Sequence, residues 1–251
     1  ALVSAFLARK VLYSWVCPIG GIYRALSWVG ERTLWRNRKE DVLLPVWGDQ
    51  ALASIKYLLL AFFLYAVGMM MDAMAILKFQ RGAYNYAADA KMLLFFTEMS
   101  VATAVTLAVL VLLSVVVKNF WCRYLCPYGA LLGLVSFLSP PRVVRDAGAC
   151  IDCRACTRGC PVEIRVHEKS SVRTPECTGC MTCVSRCPVE DCLTVTRRGK
   201  ASWSPWFIPA VGLGTIFLFW GVARVTGHWH SDVPLDTLAA AYRQARELAH
   251  P

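Results

Sequence analysis

The chain is short of charge. Only 18% of its 251 residues are Asp, Glu, Lys or Arg, against 57% hydrophobic, and the mean hydropathy is +0.45. A soluble domain carries about 25% charged and about 45–50% apolar residues, so composition excludes an ordinary soluble fold. It also excludes disorder, a coiled coil and a collagen-like fibre. Acidic residues are scarcest: 17 Asp and Glu stand against 27 Lys and Arg, a net charge of +10. Nucleotide-cradling loops are missing as well, with no Walker A run and no G-x-G-x-x-G. There is no hydrolytic triad pattern, and no C-x2-C-H that would attach a c-type haem. A greasy and basic chain points to a membrane protein with a charged face, with nucleic-acid binding as the other use of +10.

What is plentiful is cysteine, twelve in all. Eight fall in two near-identical runs, Cys150-Ile-Asp-Cys153-Arg-Ala-Cys156-Thr-Arg-Gly-Cys160-Pro161 and Cys177-Thr-Gly-Cys180-Met-Thr-Cys183-Val-Ser-Arg-Cys187-Pro188. Each is C-x2-C-x2-C-x3-C-P, the ligand run of two-cluster bacterial ferredoxins, in which the fourth cysteine serves the other cluster. One [4Fe–4S] cluster is therefore assigned to Cys150, Cys153, Cys156 and Cys187, and a second to Cys177, Cys180, Cys183 and Cys160. A zinc ribbon would use separated C-x2-C pairs, and disulfides would not explain the repeated spacing. The resemblance to bacterial ferredoxins covers about residues 146–196 and implies a small pseudo-twofold α+β unit. Cys192 falls outside the ligand pattern and reads as a packed thiol near a cluster. His167, between the runs, reads as a solvated loop residue.

Three stretches are long enough to cross ~30 Å of hydrocarbon: 51–71, 99–117 and 203–223. Lys56 in the first lies near an end, where its stem can snorkel. Trp203, Pro205, Trp206 and Pro209 open the third, as the interfacial belt and the first helical turn favour. The apolar run before Arg9 and Lys10 is too short to span and reads as the end of a truncated helix. By parity, segments 24–50 and 118–200 share one side and carry 5 and 13 Lys/Arg, against 3 each in 72–98 and 224–251. The positive-inside rule then puts the ferredoxin domain in the cytoplasm and the C-terminus in the periplasm. Most of the +10 is topology, and no nucleic acid is expected as a partner.

An internal repeat emerges when Cys17 is aligned on Cys126. Arg9-Lys-Val-Leu-Tyr-Ser-Trp-Val-Cys17-Pro-Ile-Gly-Gly matches Lys118-Asn-Phe-Trp-Cys-Arg-Tyr-Leu-Cys126-Pro-Tyr-Gly-Ala. Both copies lead through Cys-Pro into a helical stretch, Ile19–Val29 and Tyr128–Leu138, with Pro18 and Pro127 at the favoured first helical position. Each is expected to leave the membrane, bend at Cys-Pro and run along the interface.

A second C-x3-C-P motif (Cys122, Cys126, Pro127) at a membrane edge, followed by two ferredoxin runs, resembles the NapH/NosR/MauN group of membrane polyferredoxins. The resemblance covers essentially the whole chain, including Thr-Gly-His-Trp after the last span. It implies an electron-transfer subunit of the bacterial inner membrane, working between the quinone pool and other subunits of a redox complex. A maturation factor that supplies electrons to another enzyme's metal centre is the alternative. The group usually shows C-x3-C-P in both copies, whereas this chain has Tyr13 where the second copy has Cys122. Cys17, Cys122 and Cys126 are thus open to three readings: a third metal site completed by another ligand, a redox dithiol, or structural thiols at helix bends.

The expected fold is all-α in the membrane, about four spans with the first truncated, and an inserted α+β ferredoxin domain. Its parts are residues 1–50 (first helix and first Cys-Pro segment), 51–140 (two spans and the second segment), 141–200 (ferredoxin), 201–230 (last span) and 231–251 (an amphipathic helix). His228 and His230 flank Trp229 beyond the last span and are candidates for haem, metal or quinone contact, or for plain interfacial packing. Glu98 and Asp72, near the same interface, are candidates for relaying quinol protons. Asp232 and Pro234 mark a helix start, with Leu235, Leu238, Tyr242 and Ala245 as one apolar face.

Overall fold

The computed structural model describes residues 2–11, 16–34, 44–197, 200–204, 206–230 and 233–248. Helices dominate: α1 (Leu2–Ala8), α2 (Pro18–Thr33), α3 (Val46–Tyr65, prolonged by a π turn Ala66–Met70), α4 (Ala73–Gln80), α5 (Ala83–Tyr86), α6 (Ala88–Thr97) and α7 (Val101–Val116). After a π turn at Trp121–Leu125 come α8 (Pro127–Phe137), β1 (Pro141–Arg145), α9 (Ala155–Arg158), α10 (Thr182–Ser185), β2 (Leu193–Arg197), β3 (Lys200–Trp203), α11 (Phe207–Val225) and α12 (Leu235–Arg243). The chain divides into two compact units, 1–60 with 110–219 and 61–109 with 220–251.

Two helices are long and apolar enough to cross a membrane, Val46–Met70 and Phe207–Val225. The expected span at 99–117 differs. Its helix α7 has 16 residues, about 24 Å and short of the ~30 Å hydrocarbon layer, and it meets α6 at an 86° bend. Residues 88–116 thus form one broken span or a re-entrant element, so the described residues give two or three candidate spans rather than four. The first helix, α1, has seven residues.

The first unit is organised around the ferredoxin fold. Strand β1 pairs antiparallel with β2 (Val143 opposite Val195, Arg145 opposite Leu193), and β2 pairs with β3 through an irregularity at Thr196/Arg197. Beneath the sheet, Val143, Val195, Val166, Val172 and Leu193 form one core with Ala8 and Val11 from the first chain segment and Ile208 from α11. The apolar interior of this α+β part therefore runs on into the first chain segment and into α11. A Cβ on Gly212 of α11 would lie 2.8 Å from Val11 Cγ2, so the absence of a side chain permits that approach.

Both Cys-Pro segments fold alike. Cys17 caps α2 and Cys126 caps α8, each thiol accepting the backbone N–H three residues on, from Gly20 at 3.5 Å and Gly129 at 3.3 Å. The following proline supplies the helical φ where no N–H partner is needed. Tyr13, the departure in the first copy, lies outside the described residues. Helix α2 stays largely exposed but buries Ser27 and Gly30 against the end of α7. Ser27 Oγ accepts the Asn119 N–H at 3.0 Å, and a Cβ on Gly30 would lie 1.9 Å from the Val115 carbonyl oxygen.

Charges expected at a water interface are instead buried inside this unit. Lys56 is 0% exposed and pairs with Glu176 of the ferredoxin part, so it does not snorkel. Arg9, at 2% exposure, donates from Nε to the Pro141 carbonyl (2.9 Å) and from Nη2 to the Val172 carbonyl (2.8 Å). Arg123 bridges Asp49 at 2.6 Å and Glu163 at 2.5 Å, while the Tyr124 hydroxyl donates to Asp49 at 2.7 Å. Removing one partner of such a buried pair strands the other charge, typically at 3–5 kcal/mol.

The second unit packs by small residues. Ala241 and Ala245 bury against Ala87 beside α5 and α6, and Lys91 Nζ donates to the Leu248 carbonyl. Helix α12 begins after Pro234; Asp232 lies outside the described residues. The expected apolar face is only partly used: Ala245 is buried, whereas Leu235 is 83% and Tyr242 45% exposed. The helix docks through its alanines because small side chains let backbones approach closely. Asp72, exposed, precedes α4.

Candidate iron–sulfur centres

Six of the eight cysteines of the two runs sit on loops, while Cys156 lies in α9 and Cys183 in α10. Each run places two residues in the left-handed region at matching positions. Asp152 (φ 49°) and Arg154 (φ 57°) flank Cys153, and Gly179 (φ 69°) and Met181 (φ 60°) flank Cys180. Such alternation turns successive N–H groups into a concavity suited to anions, a form common at iron–sulfur sites. Three of the four are not glycine, and left-handed non-glycine residues cluster where surrounding structure over-determines them, commonly at functional sites. At Gly179 a side chain is also excluded by Arg9, whose Cβ would lie 3.2 Å from an added Cβ.

The runs cross over. Cys150, Cys153, Cys156 and Cys187 line one cavity, and Cys160, Cys177, Cys180 and Cys183 line another. Among the described residues, no group of three or more His, Cys, Asp or Glu gathers as a single-ion site. Four thiols around each cavity are the donor set that a [4Fe–4S] cubane takes. A net-anionic cluster also fits the surroundings of the second run, where the buried Arg9 leaves Nη1 with no partner among the described residues.

The cavities differ in their walls. The first is rimmed by Arg145, Arg154, His167 and Cys192, with Ile151 on its edge 66% exposed. The second is closed by Val143, Val162, Ile164, Val166, Val172 and Met181. Electrostatics follow. The Asp152 backbone N–H and then the Arg145 side chain hold the Cys150 thiol below its ordinary value. Burial pushes the Cys160 thiol up to about 12 and raises Cys183 as well. Burial also raises Cys156, so the outer set is not uniformly acidic.

Two residues outside the ligand pattern enter the first cavity. Cys192 is buried, with its thiol directed to the Asp146 carbonyl at 3.7 Å. His167 is not the solvated loop residue expected: its side chain is 12% exposed, and Nδ1 lies 2.8 Å from Thr157 Oγ1. An isolated antiparallel β-bridge between Val144 and Ser171 ties the connection between the runs to the sheet, and Thr157 also accepts the His167 backbone N–H at 3.3 Å.

Among the remaining candidates, Cys122 and Cys126 pack on one small apolar cluster with Ala5 and Leu132. Cys17 caps α2 at the equivalent corner of the other copy. Glu98 pairs with Arg246 at 3.0 Å, and His228, Glu98 and His230 are all exposed. The carboxylates nearest the second run, Glu163 and Glu176, are absent from the sequence reading. A charge beside or within an apolar helix, as at Asp49 and Lys56, is the signal that could have pointed to them.

Fold and thiol geometry together define a ferredoxin-type iron–sulfur protein carried on apolar helices. A model described as a 4Fe-4S dicluster domain matches residues 142–188, and one described as a 4Fe-4S binding domain matches residues 2–41 and 99–144. The latter stretches contain the two Cys-Pro copies. The chain is 40% identical to YccM of Escherichia coli, a protein named for electron transport, over 99% of this chain and 70% of YccM. It is 31% identical to the methylamine utilization ferredoxin-type protein MauN of Paracoccus denitrificans, over 64% of this chain and 54% of MauN. It is 24% identical to the regulatory protein NosR of Pseudomonas aeruginosa, over 67% of this chain and 22% of NosR. No solved structure matches. The chain belongs to the family of 4Fe–4S ferredoxin-type electron-transport proteins that includes YccM, MauN and NosR.

Proposed function

We propose that this chain is a membrane-embedded electron carrier with two [4Fe–4S] clusters, linking the quinone pool to a partner redox protein. Cys150, Cys153, Cys156 and Cys187 hold one cluster, and Cys160, Cys177, Cys180 and Cys183 the other. The observation that carries the reading is the division of eight thiols into two cavities of four, within a core that also contains Ala8, Val11 and Ile208. A bound cubane supplies one-electron storage at a potential tuned by burial and hydrogen bonding. The chain's own residues do the rest. The left-handed turns shape a concavity of backbone N–H groups beside the thiols, and valines wall the second cavity. The Arg145 side chain favours the Cys150 thiolate.

In this reading Val46–Met70, the bent stretch 88–116 and Phe207–Val225 cross the bacterial inner membrane, so that the start of α3 and the ferredoxin part share one face. The Lys/Arg-rich ferredoxin part lies in the cytoplasm and the C-terminus in the periplasm. The exposed rim of the first cavity faces the partner subunit, and the second cavity faces the membrane helices. Iron and acid-labile sulfide analysis of the purified full-length protein, with redox-titrated EPR, tests the assignment. Two cubanes per chain with separable signals are expected; zinc, or a single cluster, would overturn it.

A further inference from the structure

We propose that the ≈ 710 Å³ cavity between the first turns of α3 and the ferredoxin part is the binding site for the head group of a membrane quinol. The proposal rests on the quinone-linked reading above and adds the place and the polarity of the site. The cavity lies within the first unit. One wall is the start of a membrane-crossing helix (Asp49, Ala53, Tyr57, Leu58), and the other is Glu163 and Glu176, which sit beside the second cysteine run. Its volume falls within the roughly 300–1,000 Å³ of small-molecule sites.

Three features select the occupant. The first is depth: the cavity opens at the beginning of an apolar helix, beside the exposed Val46 and Leu58, so an isoprenoid tail can leave along a lipid-facing surface. The second is proximity. Val162 and Ile164 line both this cavity and that of Cys160, Cys177, Cys180 and Cys183, so a single layer of side chains parts them. The third is polarity. Asp49, Glu163 and Glu176 all line the cavity, each held by a donor or cation: Arg123 bridges Asp49 and Glu163, and Lys56 holds Glu176. The Tyr57 hydroxyl donates to Glu176 at 3.1 Å. The wall at α3 and the second run is therefore rich in fixed acceptors, while Arg165 and Lys169 bring cations to the same cavity. A hydroquinone brings two hydroxyl donors and matches that wall, whereas an oxidised quinone offers only acceptors.

The test uses the full-length, cluster-loaded protein in lipid nanodiscs and a short-chain photoreactive quinol analogue, read by cross-linking rather than turnover. Cross-links are expected in segments 44–58 and 162–176, with the reduced analogue binding at least tenfold tighter than the oxidised one. Ala53→Trp fills the cavity without touching a charge and should lower labelling at least tenfold while both cluster EPR signals persist. Glu176→Gln should weaken binding by a similar factor, and Ala53→Trp decides the matter if that variant fails to fold. Labelling unchanged by Ala53→Trp, or mapped beside His228 and His230, overturns this site while leaving quinone linkage standing. A wild-type protein with intact clusters that captures no quinol overturns both. Retention of a phospholipid that quinol does not displace also overturns the site, as does tighter binding of the oxidised form.

Discussion

The two thiol-lined cavities share one backbone pattern and differ in what surrounds it. Around the first, Arg154 and Asp152 are exposed, Ile151 projects outward, and Arg145 and His167 bring polar atoms to the rim. Around the second, valines and Ile164 form the wall, and Arg9 from the first chain segment and Ile208 from α11 approach Gly179. Duplication of one loop thus yields one site, the outer, rimmed by charged and polar side chains and one, the inner, walled by aliphatic side chains. Both reach the same hydrophobic core, the first through Cys156 and Cys187 and the second through Cys160, Cys177 and Cys183. The difference teaches that the neighbours, rather than the ligand spacing, divide the labour between two sites.

The severest way to break the comparison is to remove a crossing ligand from each cavity. Cys160→Ala lies in the first run but should abolish the cluster of the second. Because metal binding is folding free energy and this site sits in the core, loss of about 3 kcal/mol or more and a fall of roughly 10 °C in Tm are expected. Cys187→Ala should abolish only the outer cluster, with a smaller thermal shift. EPR and calorimetry on both variants check this, and loss of each run's own cluster would refute the crossover.

Next in size is the clamp on the inner wall. Arg123→Met strands Asp49 and the buried Glu163, so a destabilisation of roughly 3 kcal/mol is expected. The double variant Arg123→Met/Glu163→Gln should recover part of it. Chemical denaturation reads both, and additive losses would show that the pair is not coupled.

These contacts show where sequence stops speaking. The cluster ligands were legible because a cubane is held by a short run whose spacing is local. The starts of α2 and α8 were legible for the same reason, since Cys-Pro writes a helix N-terminus into adjacent residues. Lys56 and Glu176 are 120 positions apart, and nothing local reveals that each is the other's partner. Arg9 marked only the end of the first apolar run in the sequence, because hydropathy cannot see the distant Pro141 and Val172 carbonyls that it meets. The face of α12 was legible only in part: Ala245 of the expected stripe is buried, yet close packing on Ala87 adds Ala241 and leaves Leu235 and Tyr242 exposed. The expected span began at residue 99, close to the break between α6 and α7, but composition did not show that α7 has only 16 residues and turns 86° from α6.

Stripping and rebuilding the clusters sharpens the contrast between the cavities. An iron chelator with mild oxidant should empty the outer site first, by roughly tenfold in rate if burial controls access. Reloading should then depend on pH differently at the two sites. In the stripped protein the Cys160 thiol, raised by burial to about 12, keeps its proton across the working range, and iron must displace it. Loading of the inner site should therefore keep quickening as pH rises from about 7 to 10 and fail on acidification. Cys150, lowered by the Asp152 N–H and Arg145, eases the outer site at neutral pH, although the raised Cys156 leaves some dependence. Stopped-flow absorbance with site-resolved EPR measures both, and identical pH profiles would remove the electrostatic distinction.

The smallest effect concerns the outer rim. Arg154 is about half exposed and lies 4.0 Å from Asp152, so solvent screens most of its field. An exposed charge contact is worth roughly 0.2–1 kcal/mol, and about 59 mV of a one-electron potential corresponds to 1.4 kcal/mol. Arg154→Gln should therefore lower the outer potential by only about 10–40 mV, because a cation favours the more negative, reduced cluster. The inner potential, behind the valine wall, should not move. Added salt should shrink the outer shift, as screening shortens the reach of an exposed charge. Redox titration of wild type and variant at two ionic strengths separates these outcomes. An equal shift at both clusters would mean that the two cavities feel one common field, and the division between an exposed site and a core site would then lie in access alone.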